Sequence, residues 1–236
     1  VEGGHRIVKK GLPFSGDISY SKDEQSDAHA EHIEVIDGEF HFDYVKGDLR
    51  IANIKMGIAG LHNIENAVAA VTVALLLEID QDKIVAALAN FSGAKRRFEY
   101  IVRQQNAIYI DDYAHHPEEL RAFLSSLKKL YPAKKITVVF QPHLFSRTRD
   151  FVEGFAEVLG MADDLLLMEI YPARELPIEG VTSSWLLEKI DLENKRVVTP
   201  EQVLEYVENE KPELVVTVGA GDIDRLVRPL KAIIAK

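Results

Sequence analysis

The run of residues 111–117 (DDYAHHP) places two carboxylates, a phenol and two imidazoles close together in the chain. An apolar run, 107–110, precedes it and a helix-like stretch follows, so we expect a loop between a strand and a helix. Imidazole exchanges protons near neutral pH, and a neighbouring carboxylate can orient it. The loop therefore predicts acid–base or substrate-positioning chemistry. The alternative is a turn capped by an Asp, with one His in an ordinary pair with a carboxylate.

A second polar loop, residues 140–149 (FQPHLFSRTR), follows the apolar run 136–140. We expect Arg147 and Arg149 to lie at the start of the next helix. Cations at a helix N-terminus oppose the helix dipole, so a carboxylate or phosphate ligand would explain both of them. The alternative is that Ser146 caps the helix while the two arginines pair with acidic neighbours on the surface.

A third junction, residues 219–222 (GAGD), joins the last apolar run to the last predicted helix. It is similar to the start of a dinucleotide-binding fingerprint, but Asp224 occupies the place of the third glycine. Two glycines permit a tight turn, and Asp222 is expected to cap the helix. This run is therefore weak evidence for nucleotide binding.

Two further groups of polar residues precede these loops, in residues 60–67 (GLHNIENA) and 93–99 (GAKRRFE). His62 and Asn66 are four residues apart and share a helix face. An Asn amide offers a donor and an acceptor to the edge of an adenine, and adjacent arginines suit phosphate oxygens. The alternatives are a helix N-cap by Asn63 and a solvated basic turn.

The three strand–helix junctions belong to a regular alternation of apolar runs and helical stretches beyond Gly93. This alternation predicts an α/β domain with a doubly wound, mostly parallel sheet covered on both faces, in which ligands collect at the carboxyl ends of the strands. The predicted strands are 107–110, 136–140, 165–170, 197–198 and 214–218. The predicted helices are 118–130, 149–159, 184–190, 201–209 and 223–235.

The earlier part of the chain has a different pattern. Apolar residues alternate or cluster over 33–36, 40–45 and 49–56, and Asp37-Gly38 between the first two runs predicts a hairpin. Apolar residues at helical spacing then mark a first helix, and a second is predicted over 81–90. The residues of that first helical face are Ile64, Val68, Val71, Leu75 and Ile79. We therefore expect a small antiparallel sheet with helices in residues 1–98, and a Rossmann-like domain in 99–236.

Composition excludes several classes of protein. The 236 residues are 47% hydrophobic and 28% charged, as in globular chains, and the net charge of -10 argues against duplex nucleic acid as a partner. The chain has no Cys, which excludes disulfides, thiolate-bound zinc and thiol catalysis. No apolar run approaches the about 20 residues that a membrane span needs. Because it begins at Val1 without Met or a signal sequence, we expect a piece of a longer protein.

Six motifs in this order resemble the Mur ligases of peptidoglycan synthesis, over most of the chain. They are GLHNIENAVAA (60–70), GAKRRFE (93–99), DDYAHHP (111–117), FQPHLFSRTR (140–149), YPA (171–173) and GAGDI (219–223). The resemblance implies the end of a central ATP-binding domain followed by the whole C-terminal domain, from a cytoplasmic enzyme. The members most similar to it phosphorylate the carboxylate of UDP-N-acetylmuramate with ATP, and the amine of L-alanine then displaces phosphate.

The resemblance also implies roles for individual residues. His62, Asn63 and Asn66 would lie at the adenine of ATP, and Arg97 and Asp112 near its phosphates and ribose. Tyr113, His115 and Arg147 would hold L-alanine, and His115, Asp112 and Arg97 would be the catalytic residues. No metal ligand is expected in this chain, since the family's main Mg²⁺ ligands lie outside it.

Two departures limit what we expect of this chain. Leu144 stands where many relatives have Arg, and the phosphate-binding run G-x-x-x-x-G-K-[ST] is absent. We therefore expect the chain alone to bind ATP weakly at most and to ligate nothing. The alternatives are a recycling ligase that attaches a whole tripeptide to UDP-N-acetylmuramate, and a non-catalytic carboxylate- or nucleotide-binding module. Folylpolyglutamate synthases and cyanophycin synthetases resemble the chain less.

Overall fold

The computed structural model describes residues 4–23 and 25–236, and the chain divides into two compact units between Gly93 and Ala94. The boundary expected from the sequence lies slightly later, between residues 98 and 99. Residues 94–98 belong to the second unit because their polar groups bond within it. The guanidinium of Arg96, for example, binds the Asp111 carboxylate at 3.0 Å.

The first unit contains a five-stranded sheet in the order β1-β2-β3-β4-β5. The expected hairpin joins β3 to β4, and Asp37 and Gly38 at its turn have φ angles of 53° and 76°, as this tight turn requires. Only β3, β4 and β5 are antiparallel, because β1 pairs with β2 and β2 with β3 in parallel. The strands are β1 (Ile7–Lys9), β2 (Ile18–Ser21), β3 (Ala28–Ile36), β4 (Glu39–Lys46) and β5 (Leu49–Lys55).

Two helices, α1 (Leu61–Leu76) and α2 (Gln81–Asn90), complete this unit. Most of the predicted apolar face of α1 is buried, but Leu75 is only partly buried, and Ile79 lies beyond the end of the helix and is 42% exposed. The buried face is therefore shorter than predicted. The Tyr44 hydroxyl lies 2.9 Å from the Thr72 hydroxyl and ties α1 to β4. Helix α2 has the predicted bounds. The buried residues of α1 are Ile64, Ala67, Val68, Val71 and Thr72.

The second unit has a six-stranded sheet in the order β10-β9-β8-β11-β7-β6. Its five predicted strands are parallel, and β6, which was not predicted, pairs antiparallel with β7 at one edge. Every residue of β7, β8 and β11 is buried, as in a sheet covered on both faces. The strands are β6 (Glu99–Arg103), β7 (Ile108–Asp112), β8 (Ile136–Phe140), β9 (Asp164–Met168), β10 (Lys195–Val198) and β11 (Leu214–Val218).

The helices of the second unit follow the strands as predicted, with two differences. The single helix expected over 149–159 is two helices that meet at Phe151, and the last helix is preceded by a 3₁₀ turn, Asp222–Leu226. No helix in residues 4–23 and 25–236 has the length and apolarity to span a membrane. The helices are α3 (Pro117–Leu130), α4 (Phe145–Asp150), α5 (Val152–Leu159), α6 (Ser183–Lys189), α7 (Pro200–Glu210) and α8 (Val227–Ile234).

Candidate functional site

The polar loops of the second unit meet at one edge of its sheet, the edge formed by the carboxyl ends of the parallel strands. Strand β11 lies between β7 and β8 and pairs with both in parallel, so the three loops that follow these strands leave the same edge. The Gly219 N–H donates to the Asp112 carbonyl at 3.2 Å, and the Gln141 N–H donates to the Val218 carbonyl at 3.1 Å. The loops are therefore bonded to each other's strands.

Four aromatic rings line this edge, those of Tyr113, His115, His143 and Tyr171. Neighbouring centroids are 5.3 Å apart for Tyr113 and His115, 6.0 Å for the two histidines, and 5.7 Å for His143 and Tyr171. Tyr113 and His115 were predicted site residues. His143 and Tyr171 were given no role, although both lie in motifs that carried the family resemblance.

The hydrogen-bond partners of His115 fix which ring nitrogen carries its proton. Its Nδ1 lies 2.9 Å from the Tyr113 carbonyl oxygen and 3.4 Å from a Glu119 carboxylate oxygen. Because both oxygens accept hydrogen bonds, we assign the proton of a neutral ring to Nδ1. The lone pair on Nε2 then remains to accept a proton. Glu119, which sequence reasoning missed, also accepts the backbone N–H of His115 at 2.9 Å.

His143 and Arg147 form a second pair of polar side chains in the candidate site, next to His115. The Arg147 Nη1 lies 3.3 Å from the His143 Nδ1, and since a guanidinium only donates, this nitrogen of His143 accepts. Burial lowers the pKa of His143 below its usual value, and the charges of Arg147 and His115 lower it further. A neutral imidazole therefore lies beside the guanidinium at neutral pH. Arg147 forms no ion pair with any described residue.

The expectation that two arginines begin a helix was wrong. Helix α4 begins at Phe145, so Arg147 and Arg149 lie in its last turn, where the helix dipole favours cations. The dipole therefore gives no argument for an anionic ligand. Arg149 pairs with Asp150 at 2.7 Å, as the alternative interpretation expected. Ser146 does not cap α4 with its side chain, because its hydroxyl donates to Glu175 instead.

Arg96 connects three parts of the site, whereas the sequence suggested either phosphate binding or a solvated basic turn for Arg96 and Arg97. Its Nε binds the buried Asp111 carboxylate at 3.0 Å, and its Nη2 donates to the Gly219 carbonyl at 2.5 Å. The guanidinium carbon lies 5.1 Å from the centre of the Tyr113 ring. Burial raises the pKa of Asp111, while the Thr217 hydroxyl, which donates to it at 2.6 Å, and Arg96 oppose that shift.

Asp112 and Arg97 have different environments. Asp112 is 3% exposed, and its two carboxylate oxygens accept the backbone N–H groups of Phe98 at 2.7 Å and Ala114 at 2.8 Å. Burial raises its pKa to about 6. Arg97 is exposed, with its guanidinium carbon 5.6 Å from the centre of the Tyr113 ring. Asp112 therefore fixes the backbone beside Arg97 and beside Tyr113.

The glycines of the third loop allow close packing. A Cβ on Gly221 would lie 2.3 Å from the Gln141 Oε1 and 2.7 Å from the Tyr171 Cβ. Asp222 does not cap the 3₁₀ turn as expected, because its carboxylate accepts the side-chain N–H of Gln141 at 2.9 Å. Gln141 also accepts the Ile223 N–H at 2.9 Å. Gly221 is thus required by packing against Gln141 and Tyr171.

The predicted adenine residues lie on α1 of the first unit. Asn63 and Asn66 line an apolar cleft of about 370 Å³, and the Asn66 Nδ2 lies 3.4 Å from the Asn63 Oδ1. Asn63 is not the N-cap of α1, since that position is Gly60, and His62 lies beside it in the first turn. Apolar walls with two amides suit a planar heterocycle such as adenine. The other lining residues are Met56, Ile58, Ala67, Ala70, Ala87, Leu88 and Phe91.

In residues 4–23 and 25–236, no group of three or more His, Cys, Asp or Glu side chains is arranged to hold a metal ion.

Comparison with known proteins points to one family. A family model described as "Mur ligase, glutamate ligase domain" matches residues 96–221. Relatives named UDP-N-acetylmuramate–L-alanine ligase, from Cytophaga hutchinsonii and Parabacteroides distasonis, are 47% and 41% identical over 91% and 99% of this chain. The alignments cover 46% and 52% of those relatives, so the chain spans about half of their length.

Solved structures agree with this result. UDP-N-acetylmuramate–alanine ligase from Thermotoga maritima superposes with a TM-score of 0.72 at 26% identity, over 91% of this chain and 47% of that one. A MurF ligase of the same organism, solved in complex with ADP, has the same fold, with a TM-score of 0.69 at 20% identity over 92% of this chain and 49% of that one. Because the family model matches more than half of the residues, this chain belongs to the Mur ligase family.

Proposed function

We propose that the chain is the C-terminal portion of an ATP-dependent ligase that joins L-alanine to UDP-N-acetylmuramate through an acyl phosphate. The identity of 41–47% with relatives of that name, over nearly the whole chain, carries this proposal. Because the chain spans about half of those relatives, ligation itself is proposed for the longer protein. We place that protein in the cytoplasm, where ATP and nucleotide-linked sugars are available.

The side chains around Arg147 suit a small amino acid. Its guanidinium forms no ion pair with a described residue and can donate two parallel hydrogen bonds to the α-carboxylate. His143 is neutral because its pKa is lowered, so it neither repels Arg147 nor competes as a cation for the carboxylate. Arg147 therefore supplies the positive charge of the proposed carboxylate site.

His115 suits the amine end of the same amino acid. The amine must lose a proton before it can attack a carbonyl carbon, and the Nε2 lone pair of His115 can orient the ammonium or accept that proton. The Tyr113 carbonyl holds the ring through Nδ1, with the Glu119 carboxylate 3.4 Å from the same nitrogen, so Nε2 keeps one orientation. Such positioning of two reactants accounts for much of the rate in reactions of this type.

ATP is the proposed cofactor, and it would supply the phosphoryl group that activates the muramate carboxylate. Asn63 and Asn66 would hold its adenine in the cleft of the first unit, whose apolar walls fit the base. Arg97, which is exposed, would meet an anionic group, while Asp112 would act by holding the backbone next to it. Mg²⁺ is proposed for the longer protein alone, with ligands outside this chain.

The test uses the full-length protein encoded by the gene that contains this sequence. It is incubated with ATP and UDP-N-acetylmuramate together with either L-alanine or the cell-wall tripeptide, and the amide product is measured by mass spectrometry. We expect ATP-dependent addition of L-alanine. Addition of the tripeptide instead would favour the recycling ligase, and the absence of any amide product would favour a non-catalytic module.

A further inference from the structure

Glu175 caps a helix from which it is distant in sequence. Its carboxylate accepts the backbone N–H of Ser146 at 2.9 Å and also the Ser146 hydroxyl hydrogen. Helix α4 has no capping side chain of its own, because Leu144 occupies its N-cap position. A carboxylate beside the first turn satisfies backbone N–H groups that otherwise lack partners, and the helix dipole favours it.

Backbone hydrogen bonds also fix the segment that contains Tyr171 and Glu175 to the loop that follows β8. The Tyr171 N–H donates to the Pro142 carbonyl at 2.8 Å, and the Leu144 N–H donates to the Tyr171 carbonyl at 2.9 Å. The His143 ring stacks on the Tyr171 ring with an angle of 21° between their planes. Leu144 has a φ of 73°, which a leucine rarely adopts, so this loop needs such contacts to keep its shape.

These contacts fix the backbone immediately before Arg147. Ser146 is its direct neighbour, so the first turn of α4 sets the direction in which the Arg147 side chain leaves the helix. The hydrogen bonds from Ser146 also lower the pKa of Glu175 below its usual value. Glu175 is therefore ionised at neutral pH, which is the state that accepts both hydrogen bonds.

We propose that Glu175 is a positioning residue for the Arg147 guanidinium and acts on it through Ser146. Its consequence for L-alanine rests on the proposed function, in which Arg147 binds the amino-acid carboxylate. The positioning itself does not depend on that function, because it concerns contacts within the chain. Two separate measurements therefore distinguish the two claims.

The first measurement follows the Ser146 amide and the Arg147 Nε–H by NMR in the ¹⁵N-labelled chain. We expect Glu175→Ala to increase hydrogen exchange at the Ser146 amide by about fivefold or more and to shift the Arg147 Nε resonance. Glu175→Gln keeps one acceptor oxygen and should have an intermediate effect. The control is Glu179→Gln, because Glu179 is an exposed residue of the same segment and loses the same charge.

Unchanged Ser146 and Arg147 signals in both Glu175 variants would overturn the proposal. If Glu175→Ala failed to fold, Glu175→Gln and Ser146→Ala would decide it, since Ser146→Ala removes only the hydroxyl bond to Glu175. The second measurement is the affinity of each variant for L-alanine. The variant with the larger shift of the Arg147 Nε resonance should have the lower affinity. If the Arg147 Nε resonance shifted while the affinity for L-alanine did not change, the positioning of Arg147 by Glu175 would be supported, and the proposed binding of the L-alanine carboxylate by Arg147 would be wrong.

Discussion

The imidazole rings of His115 and His143 lie 6.0 Å apart, although they follow strands that are not neighbours in the sheet. Strand β11 separates β7 from β8 and pairs with both in parallel. The loops after β7 and β8 therefore leave the same edge on either side of β11, where Gly219 and Gly221 contribute no side chain. The strand order brings the two rings together.

Asp112 should make the stability of the second unit depend on pH. Its pKa is about 6 in the folded chain, against a usual value of 3.8, because it is buried. The folded state then binds the proton more tightly than the unfolded state does, so this contribution is complete below pH 4 and is lost as the pH rises through 6. Two pKa units correspond to about 3 kcal/mol.

Urea unfolding followed by Trp185 fluorescence measures this effect, since Trp185 is the single Trp and lies in the second unit. The free energy of unfolding of the parent minus that of Asp112→Asn should fall by about 2 kcal/mol between pH 4 and 7. A constant difference over that range would contradict the assignment.

Asp43 of the first unit provides a control of opposite sign. Burial raises its pKa, but hydrogen bonds from the Asn53 N–H, His32 and Arg50 outweigh this and lower the pKa to about 2. Its stabilising contribution is therefore present above pH 4 and is lost as the pH falls toward 2. The free energy of unfolding, measured by circular dichroism, should differ between the parent and Asp43→Asn by a constant amount from pH 4 to 7, and this difference should shrink below pH 4.

Gly221→Ala should destabilise the loop after β11. The added Cβ would lie 2.3 Å from the Gln141 side-chain oxygen and 2.7 Å from the Tyr171 Cβ, so both residues must shift. Overpacking of this kind costs about 1–3 kcal/mol. The midpoint of thermal unfolding should fall clearly. Gly160→Ala is the control, because its nearest contacts are 3.3 Å away, and an unfolding midpoint of Gly221→Ala equal to that of the control would contradict this packing.

The chain alone should not ligate. Its sequence contains no G-x-x-x-x-G-K-[ST] run, the element that cradles nucleotide phosphates and supplies a Mg²⁺-binding hydroxyl. Phosphate release and amide formation are measured with ATP, UDP-N-acetylmuramate and L-alanine, and the full-length protein serves as the positive control. ATP-dependent amide formation by the chain alone would refute this prediction.

The core of the second unit could be predicted because its central parallel strands, β7, β8 and β11, are buried on both faces and are therefore short apolar runs. The other two parallel strands, β9 and β10, also contain apolar runs and were found from the same pattern. Strands β1, β2 and β6 were missed, since the first two are only three and four residues long and β6 is a partly buried edge strand. The start of α4 was misplaced because Leu144, its N-cap, gives no capping signal.

The candidate site could be predicted only where its residues lie in loops that directly follow predicted strands. Tyr113 and His115 share one loop, and Arg147 follows a strand that ends at the same edge. The supporting contacts are remote in sequence, since Thr217 and Asp111 are 106 residues apart and Glu175 and Ser146 are 29 apart. Their spacing follows from the strand order and gives no periodic signal that a reader of the sequence could use.

Titration of the chain with L-alanine by calorimetry tests the central claim most directly, with D-alanine as the comparison ligand. The account predicts that L-alanine binds more tightly than D-alanine, and that Arg147→Ala weakens its binding about tenfold or more because a charged hydrogen bond is lost. His115→Ala should weaken binding as well, whereas Arg149→Ala should not, since Arg149 pairs with Asp150. Absence of saturable L-alanine binding, or equal affinity in Arg147→Ala and the parent, would contradict the account.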